Sequence, residues 1–303
     1  MAKHLLVVVG PTAIGKTAMA IALAQHYNCE IISADSRQFF KEMSIGTAVP
    51  SQQELNAVPH HFIHNKSVLE SYTVGDFEKE VLEKLDALYQ KYDSAVLVGG
   101  SGLYIDAVLK GLDEFPDVDL EIRDLINLKF HQLGIGYLQK ELQKRDPVYY
   151  ETVDKENPQR MMRALEVCKT AGRPYSSFLN IKKRDRNFTP IMIGIEADRK
   201  IIYDRINRRV DQMLADGFID EATALLPHKK LNALQTVGYR EIFSFLEGDF
   251  SKEFAISEVK KNTRRFAKRQ LTWFRRNGNV TWFDCSSDLK LICDHIDVIA
   301  RNP

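Results

Sequence analysis

Cysteine and tryptophan are scarce in this chain, and neither sign of charge is in excess. The 303 residues include four cysteines and two tryptophans, and the formal net charge is +1. The cysteines are scattered and form no Cys-x-x-Cys pair, which excludes a zinc finger and is typical of reduced thiols. Any affinity for nucleic acid must therefore come from local clusters of charge, because the bulk charge is close to zero.

Long apolar runs are also missing. No segment approaches the roughly 20 apolar residues that a membrane-spanning helix needs, and the first strand follows His4 with no signal-peptide pattern before it. Hydrophobic residues make up 44% of the chain and charged residues 27%, as in ordinary globular proteins. We expect a soluble, cytoplasmic protein and a monomer.

A G-x-x-x-x-G-K-T motif lies between an apolar strand, residues 5–9, and a helical pattern over 17–27. Glycines let backbone N–H groups turn toward an anion, the helix N-terminus and a lysine add positive charge, and a threonine hydroxyl suits Mg²⁺. We predict a phosphate or diphosphate site here, with Thr17 as the Mg²⁺ ligand. The predicted loop comprises Gly10, Pro11, Thr12, Ala13, Ile14, Gly15, Lys16 and Thr17.

A second short buried strand, residues 29–35, ends in Asp35-Ser36-Arg37-Gln38. Ligands of an open α/β sheet bind at the carboxyl ends of its strands, so this tip should face the same crevice as the phosphate loop. The Asp35 carboxylate could then accept a proton or lie behind a Mg²⁺. The alternative is an aspartate that caps the following turn.

Residues 44–73 lack periodicity and predict a long loop or lid. The three histidines within 60–64 suggest a metal site, but no cysteine or carboxylate at ligand spacing supports one, so polar loop histidines are favoured. Helical spacing over 74–92 predicts a crossover helix. The next buried strand, residues 95–98, runs into glycines and Ser101 where a P-loop ATPase usually has a Walker-B aspartate, which disfavours ATP hydrolysis.

The middle of the chain is helical in pattern. An acidic, turn-forming stretch over 111–117 marks a boundary, and Asn157-Pro158 marks a helix start that places Gln159 and Arg163 on one face beside Arg160. Solvated surface arginines are the equally weighted alternative. A basic loop, residues 182–186, ends the segment, and strand character returns at 190–195. We assign residues 1–112 and 189–303 to an α/β core, a P-loop NTPase-like parallel sheet flanked by helices, and residues 113–188 to an all-helical insertion.

A basic stretch lies near the C-terminus. Residues 260–276 carry eight lysines and arginines, no acid, and three interleaved aromatic residues. In an otherwise balanced chain this pattern suggests contact with a polyanion rather than a merely solvated face. Together with the phosphate loop and Asp35, it favours an enzyme that transfers a group from a small diphosphate to a nucleic acid.

An ordered set of motifs makes the chain resemble the tRNA dimethylallyltransferase (tRNA isopentenyltransferase) family, in its bacterial form without a zinc finger. Each motif apart from the phosphate loop is weak alone, but together they follow that family's order over nearly the whole chain. They are Gly10–Thr17, Asp35–Gln38, Ile45–Ala48, Val58–His61, Val98–Tyr104, Asn157–Arg160, Val237–Arg240 and Thr263–Gln270.

The resemblance implies transfer of a dimethylallyl group from dimethylallyl diphosphate to the exocyclic amine of the adenosine beside the anticodon, with Mg²⁺ as cofactor. It implies Asp35 as general base, Ser101 as a contact to the substrate base, and Arg209 as the group that stabilises the departing diphosphate. Ser101 stands where the family usually has threonine, so the hydroxyl is kept and a methyl is lost. The implied tRNA contacts are Asp35, Ser36, Arg37, Gln38, Ser101, Arg123, Gln159, Arg160, Met161, Met162, Arg163, Val237, Gly238, Tyr239, Arg240, Lys268 and Arg269.

Three other functions share some of these features. An isopentenyltransferase that acts on free adenine nucleotides would share the fold and the loop, and a P-loop kinase for a small molecule would share the aspartate after the second strand. An RNA-binding P-loop protein would have a structural Asp35. The helical insertion and the basic stretch argue against the first two, and Asp35 and Ser101 facing the loop argue against the third.

Overall fold

A computed structural model describes residues 3–179, 185–276 and 278–301. The chain forms two compact units, Met1–Leu109 with Arg186–Pro303, and Lys110–Asp185. The sequence placed these boundaries after residues 112 and 188. Most of the predicted basic loop, residues 182–186, falls outside the described residues.

The larger unit contains a sheet of six parallel strands within the described residues. The strands form where apolar, largely β-branched runs can be buried on both faces, as the crossover connections of a parallel sheet require. Their spatial order is β3-β2-β4-β1-β5-β6. The strands are β1 (His4–Val9), β2 (Ile31–Ser33), β3 (His60–His61), β4 (Ser94–Val98), β5 (Thr189–Glu196) and β6 (Thr281–Asp284).

Helices cover both faces of this sheet and build the second unit. The α-helices are α1 (Lys16–His26), α2 (Gln52–Ala57), α3 (Val74–Tyr89), α4 (Gly102–Lys110), α5 (Leu120–Leu133), α6 (Ile135–Arg145), α7 (Pro147–Thr152), α8 (Pro158–Ala171), α9 (Arg199–Ala215), α10 (Phe218–Leu225), α11 (Tyr239–Leu246), α12 (Lys252–Arg275) and α13 (Leu289–Arg301). Short 3-10 turns lie at Tyr175–Phe178, Leu226–His228 and Asn232–Leu234. Among the described residues, no helix combines the length and apolar character needed to span a bilayer.

Alternation along β1 places its side chains in two separate cores. Leu5 and Val7 face a core with α3 and α4, while Leu6 and Val8 face a core with α1, α9 and α13. All four side chains are fully buried. The strand is therefore fixed on both faces, which holds the loop that follows it at a defined place.

All the secondary-structure elements described in the smaller unit are helices. Its core is formed by apolar side chains of α5, α6 and α8, among them Ile126, Leu138, Leu142, Met161 and Leu165. Helix α8 begins as predicted: Asn157 accepts the Arg160 N–H at 3.2 Å, and a proline occupies the first turn.

The expectation of an irregular loop over residues 44–73 is wrong in part, because α2 and the short strand β3 lie within it. Ser51 and Glu54 form a capping box at the start of α2, a local signal that the periodicity argument passed over. The histidines there bind protein groups: His60 Nδ1 lies 2.8 Å from the Val58 carbonyl and His61 Nε2 lies 2.6 Å from Glu30.

Candidate active site

The strand order brings three sequence motifs to one edge of the sheet. Strands β2, β4 and β1 are neighbours, so the residues that follow their carboxyl ends are neighbours too. The Ala34 N–H donates to the Val98 carbonyl at 2.7 Å, and the Gly99 N–H donates to the Val8 carbonyl at 3.2 Å. Asp35, Ser101 and the phosphate loop therefore meet at the place where ligands of open α/β sheets bind.

The phosphate loop depends on close backbone approach at its start. Gly10 has φ of +150°, and a Cβ there would lie 2.5 Å from the Ile195 carbonyl oxygen, so no larger residue fits. Helix α1 begins at Lys16 without a side-chain cap, which leaves its first N–H groups available to an anion. The Lys16 ammonium donates to the Pro11 carbonyl at 2.8 Å, and so lies folded over the loop.

The charges at the loop are weakly solvated. Burial lowers the pKa of Lys16 from 10.5 to about 8, an effect that Asp35 opposes and Arg209 reinforces. Burial also lowers the pKa of Arg209, whose guanidinium donates to the Thr12 hydroxyl at 3.3 Å. Arg205, one helical turn before it on α9, donates to the Ile14 carbonyl at 2.8 Å. Helix α9 thus fixes the loop and adds a cation to it.

Asp35 both caps a turn and faces the crevice. Its Oδ1 accepts the Arg37 N–H at 3.0 Å, the turn-capping role considered from the sequence. The residue also lines the cavity that contains the loop. Ser101 lies beside it: the Ser36 N–H donates to the Ser101 Oγ at 3.0 Å, and that hydroxyl lies 3.2 Å from the Ser36 Oγ. Capping and proton acceptance are compatible, because a carboxylate has two oxygens.

Two cavities meet at these side chains. One, of about 520 Å³, is lined by the phosphate loop, and the other, of about 450 Å³, is lined by Ser101 and by apolar residues of α9, α10 and α12. The arrangement leaves a chamber lined by the predicted phosphate loop on one side of Asp35 and a somewhat smaller, mostly apolar chamber on the other. The residues that line both are Thr12, Asp35, Thr47, Gly100, Arg209, Phe266 and Gln270.

The predicted tRNA contact Tyr239 lies in the protein core, so its side chain has a structural role whatever else the residue binds. Its side chain is fully buried, and its hydroxyl donates to Glu221 at 2.6 Å. Glu221 in turn accepts the N–H groups of Ser44, Ile45 and Gly46 at 2.8–2.9 Å. Tyr239 therefore supports the segment that forms one cavity wall, because the first turn of α11 faces the core. Val237 and Gly238 line the cavity with Ser101, whereas Arg240 is exposed.

Gln38 and Arg37 are also held by protein groups. The Gln38 amide donates to the Thr47 and Ala48 carbonyls at 3.3 and 3.0 Å, and Arg37 donates to the Asn232 carbonyl at 3.0 Å. Gln38 lines the phosphate cavity and Arg37 the other one. Both side chains therefore shape the cavity walls, whatever else they bind.

Tertiary structure neutralises part of the basic stretch on α12. Lys260 pairs with Asp211 at 2.5 Å, Lys261 with Glu258 at 2.7 Å, and Arg275 with Glu196 at 2.8 Å. The absence of acids from residues 260–276 therefore overstated the free charge. Lys268 and Arg269 are exposed, and Arg269 lines the cavity with Ser101, so these two cations remain as candidate polyanion contacts.

The smaller unit presents only some of the predicted RNA contacts at its surface. Gln159 and Arg160 are exposed at the start of α8, and Arg123 is exposed while its guanidinium pairs with Glu166 at 3.1 Å. Arg163 is partly buried and lies 3.5 Å from the same carboxylate.

Met161 and Met162, two of the predicted tRNA contacts, lie in the interior of the smaller unit, and their contact with tRNA stays a prediction. They are 0% and 5% exposed and belong to the helical core, because the periodicity of α8 turns them inward.

With this geometry in place, comparison with known proteins is decisive. The family model described as IPP transferase matches residues 38–277, more than half of the chain. A protein of Flavobacterium johnsoniae named tRNA dimethylallyltransferase is 61% identical over 97% of both chains, and one of the same name from Flavobacterium psychrophilum is 59% identical over 97% of this chain and 98% of its own. The chain belongs to the IPP transferase family.

Solved structures agree with this family assignment. The tRNA isopentenylpyrophosphate transferase of Bacillus halodurans is 38% identical, with a TM-score of 0.71 over 99% of this chain and 96% of its own. A eukaryotic dimethylallyltransferase described as acting on tRNA is 25% identical, with a TM-score of 0.83 over 100% of this chain and 81% of its own. The α/β fold with a parallel sheet, predicted from the sequence, is confirmed.

Sequence reasoning missed three side chains that build the site of this IPP transferase family member. Arg205 holds the phosphate loop, and Glu221 holds the segment at Ser44. Gln270 lies between the loop and the turn before Ser101. Gln270 had a readable signal: it occupies the buried face of a helix whose other buried positions there, Ala267 and Phe274, are apolar. A polar residue at such a position needs buried partners.

Proposed function

We propose that this chain transfers a dimethylallyl group from dimethylallyl diphosphate to the exocyclic amine of the adenosine 3′-adjacent to the anticodon of tRNA, giving N6-dimethylallyladenosine. The observation that carries the proposal is the position of Asp35 in the wall shared by the two cavities. A diphosphate in one chamber and a base in the other would meet at that wall. The names of the relatives support the same reaction.

In this reaction the bond between the allylic carbon and the diphosphate oxygen breaks, and a bond from the adenine nitrogen to that carbon forms. The loop N–H groups, Lys16 and Arg209 stabilise the charge that grows on the departing diphosphate, an effect that preorganised donors supply efficiently. Asp35 accepts the proton that the amine loses. Because an exocyclic amine is a poor nucleophile, a positioned base contributes about 10²–10⁴-fold to the rate.

The residues at the loop fit a magnesium ion. Thr17, Ser33, Asp35 and Glu54 line the phosphate cavity and offer the oxygen donors that this cation prefers. Among the described residues, no group of three or more His, Cys, Asp or Glu side chains could hold a metal by itself, so a metal would share its coordination with the diphosphate. Thr17 would hold Mg²⁺, which when bound would neutralise charge on the leaving group.

The second chamber is the proposed binding site of the acceptor base. Its volume of about 450 Å³ and its apolar wall suit a base removed from the stack of an RNA loop. Removal of the base costs a few kcal/mol, which contacts along the anticodon arm would offset. Lys268 and Arg269 beside this chamber, and Gln159 and Arg160 on the helical unit, supply those contacts. We propose that the enzyme acts as a cytoplasmic monomer.

Labelled dimethylallyl diphosphate tests the proposal when it is offered with unmodified tRNA, with AMP, or with no acceptor. We expect label on tRNA alone. A matched tRNA with guanosine in place of the target adenosine is the negative control.

Label on AMP would instead identify an enzyme of free nucleotides. Transfer of a phosphoryl group from ATP to a small acceptor, without prenylation of tRNA, would identify a kinase and end the proposal.

A further inference from the structure

Gln270 is a buried amide in the middle of α12 that the proposed chemistry does not use. Its side chain is 6% exposed, on a helix face where Ala267 and Phe274 are buried as well. A buried amide without partners destabilises a protein, so its hydrogen bonds determine its role.

Both ends of this amide bind backbone groups of the candidate site. Its Oε1 accepts the Thr12 N–H at 2.8 Å, and its Nε2 donates to the Gly100 carbonyl at 2.9 Å. One side chain therefore joins the phosphate loop to the turn that precedes Ser101. A Cβ on Gly100 would lie 2.1 Å from the Gln270 Nε2, so the absence of a side chain at residue 100 makes room for the contact.

The candidate RNA contacts lie on the same helix, directly before Gln270. Lys268 and Arg269 are exposed, two residues and one residue before Gln270 in a continuous 24-residue helix. RNA that binds these cations therefore acts on the element that carries Gln270. Because Thr12 and Gly100 both line the two cavities, a shift of α12 would reach the phosphate chamber and the base chamber together.

We propose that Gln270 is a positioning residue that couples occupancy of the phosphate loop to alignment of the Ser101 turn. Diphosphate bound at the loop fixes Thr12, Thr12 fixes Gln270, and Gln270 fixes the turn that faces the acceptor base. RNA bound at α12 fixes Gln270, and Gln270 then fixes Thr12 in the phosphate loop. Coupling between two binding sites is reciprocal, so each ligand tightens the other by the same factor. The inference rests on the proposed function.

The variant Gln270→Met tests this coupling, because methionine keeps the length of the side chain and forms no comparable hydrogen bond. The dissociation constant of inorganic diphosphate is measured by calorimetry, with and without an anticodon stem-loop, in buffer with magnesium. We expect the stem-loop to tighten diphosphate binding to the wild-type enzyme and to leave the variant unaffected. Loss of the hydrogen bonds should raise the KM for the donor about tenfold.

A purely structural role would give a different result. The fraction of folded enzyme and the thermal midpoint would fall, while KM and the coupling factor of the remaining enzyme would stay at wild-type values, and that result would overturn the inference. Thr272→Ala is the matched control, because this exposed hydroxyl donates to the Lys268 carbonyl of its own helix. It should leave both constants unchanged.

A second variant approaches the same contact from its other partner. Gly100→Ala pushes the Gln270 amide aside, so it should reproduce the loss of coupling, and the double variant should add little to either single one. Full additivity would contradict the inference.

Failure of the inference is distinguishable from failure of the proposed function. The inference alone would be contradicted if the wild-type enzyme prenylates tRNA and the Gln270→Met enzyme keeps a wild-type KM and coupling factor. The proposed function would be contradicted if the wild-type enzyme prenylates no tRNA. In that case a raised dissociation constant for diphosphate alone in Gln270→Met would still support the contact with the loop, and an unchanged one would contradict it.

Discussion

The guanidinium of Arg209 lies 3.3 Å from the hydroxyl of Thr12, so a cation of α9 is held against the loop that follows β1. Burial lowers the pKa of this arginine, while Asp35 acts in the opposite direction. A weakly solvated cation so close to the loop is well placed for charge that develops on a leaving diphosphate, because its field is little screened by water.

We expect Arg209→Gln to reduce kcat by about 10²–10³-fold, the usual loss when one preorganised group at a developing charge is removed. Steady-state kinetics with saturating tRNA measures it. Arg208→Gln is the control: Arg208 is exposed and pairs with Asp204 at 2.6 Å, so its loss should leave kcat within about twofold. An equal loss in both variants would show that the effect is not specific to the loop.

Asp35→Asn separates proton acceptance from turn capping, because an asparagine oxygen can still accept the Arg37 N–H. We expect kcat to fall about 10²–10⁴-fold, as for loss of a general base, with tRNA affinity retained. Asp35→Ala should show a similar loss of kcat, and it also loses the hydrogen bond that caps the turn at Arg37. If tRNA binding weakened in step with the rate, Asp35 would be an RNA anchor rather than the base.

The pKa of Lys16, lowered to about 8, predicts a pH dependence of donor capture. In the proposed reaction the protonated amine binds the diphosphate, so kcat/KM for the donor should fall as pH rises through about 8. A bound diphosphate favours the charged form and raises this pKa, so kcat should stay level over the same range.

Lys16→Arg is the matched variant for this pH dependence, because arginine stays charged. Its kcat/KM should show no decline at that pH. Identical profiles for the two enzymes would assign the decline to another group.

Replacement of Lys268 and Arg269 by alanine should weaken tRNA binding and make it less sensitive to salt. Two lost phosphate contacts reduce the slope of log K against log salt by about 1.5. Lys260→Gln is the control on the same helix, since Lys260 already pairs with Asp211. An unchanged slope in the double variant would mean that this face of α12 does not touch RNA.

Tyr239→Phe tests whether Tyr239 contacts RNA or only supports the protein core. The hydroxyl that donates to Glu221 is removed, so the free energy of unfolding should fall by about 1.5–3 kcal/mol while tRNA affinity is unchanged. Replacement of the exposed neighbour Arg240 by alanine should instead weaken tRNA binding and leave the free energy of unfolding unchanged. Denaturant unfolding and filter binding measure the two effects, and weaker tRNA binding by the Tyr239→Phe enzyme would support a contact between Tyr239 and RNA.

Local sequence signals predicted the elements that carry the site. The Gly10–Thr17 pattern follows a strand and precedes a helix, and the Asn157-Pro158 pair starts α8, because caps and phosphate loops are set by residues a few positions apart. Strands of a parallel sheet share one carboxyl edge, which was enough to expect Asp35 at the edge that carries the loop, and the strand order then makes them neighbours.

The sequence by itself determined the parallel α/β core, the phosphate loop and the placement of Asp35, because hydrophobic periodicity and turn chemistry are local properties. Only the tertiary structure decided that Tyr239 supports Glu221, that Met161 is core, and that Lys260 is neutralised by Asp211. The hydrogen bond between Gln270 and Thr12, which are 258 residues apart in the sequence, is also a product of the tertiary structure. Such partners meet through packing of distant elements, and no local pattern specifies them.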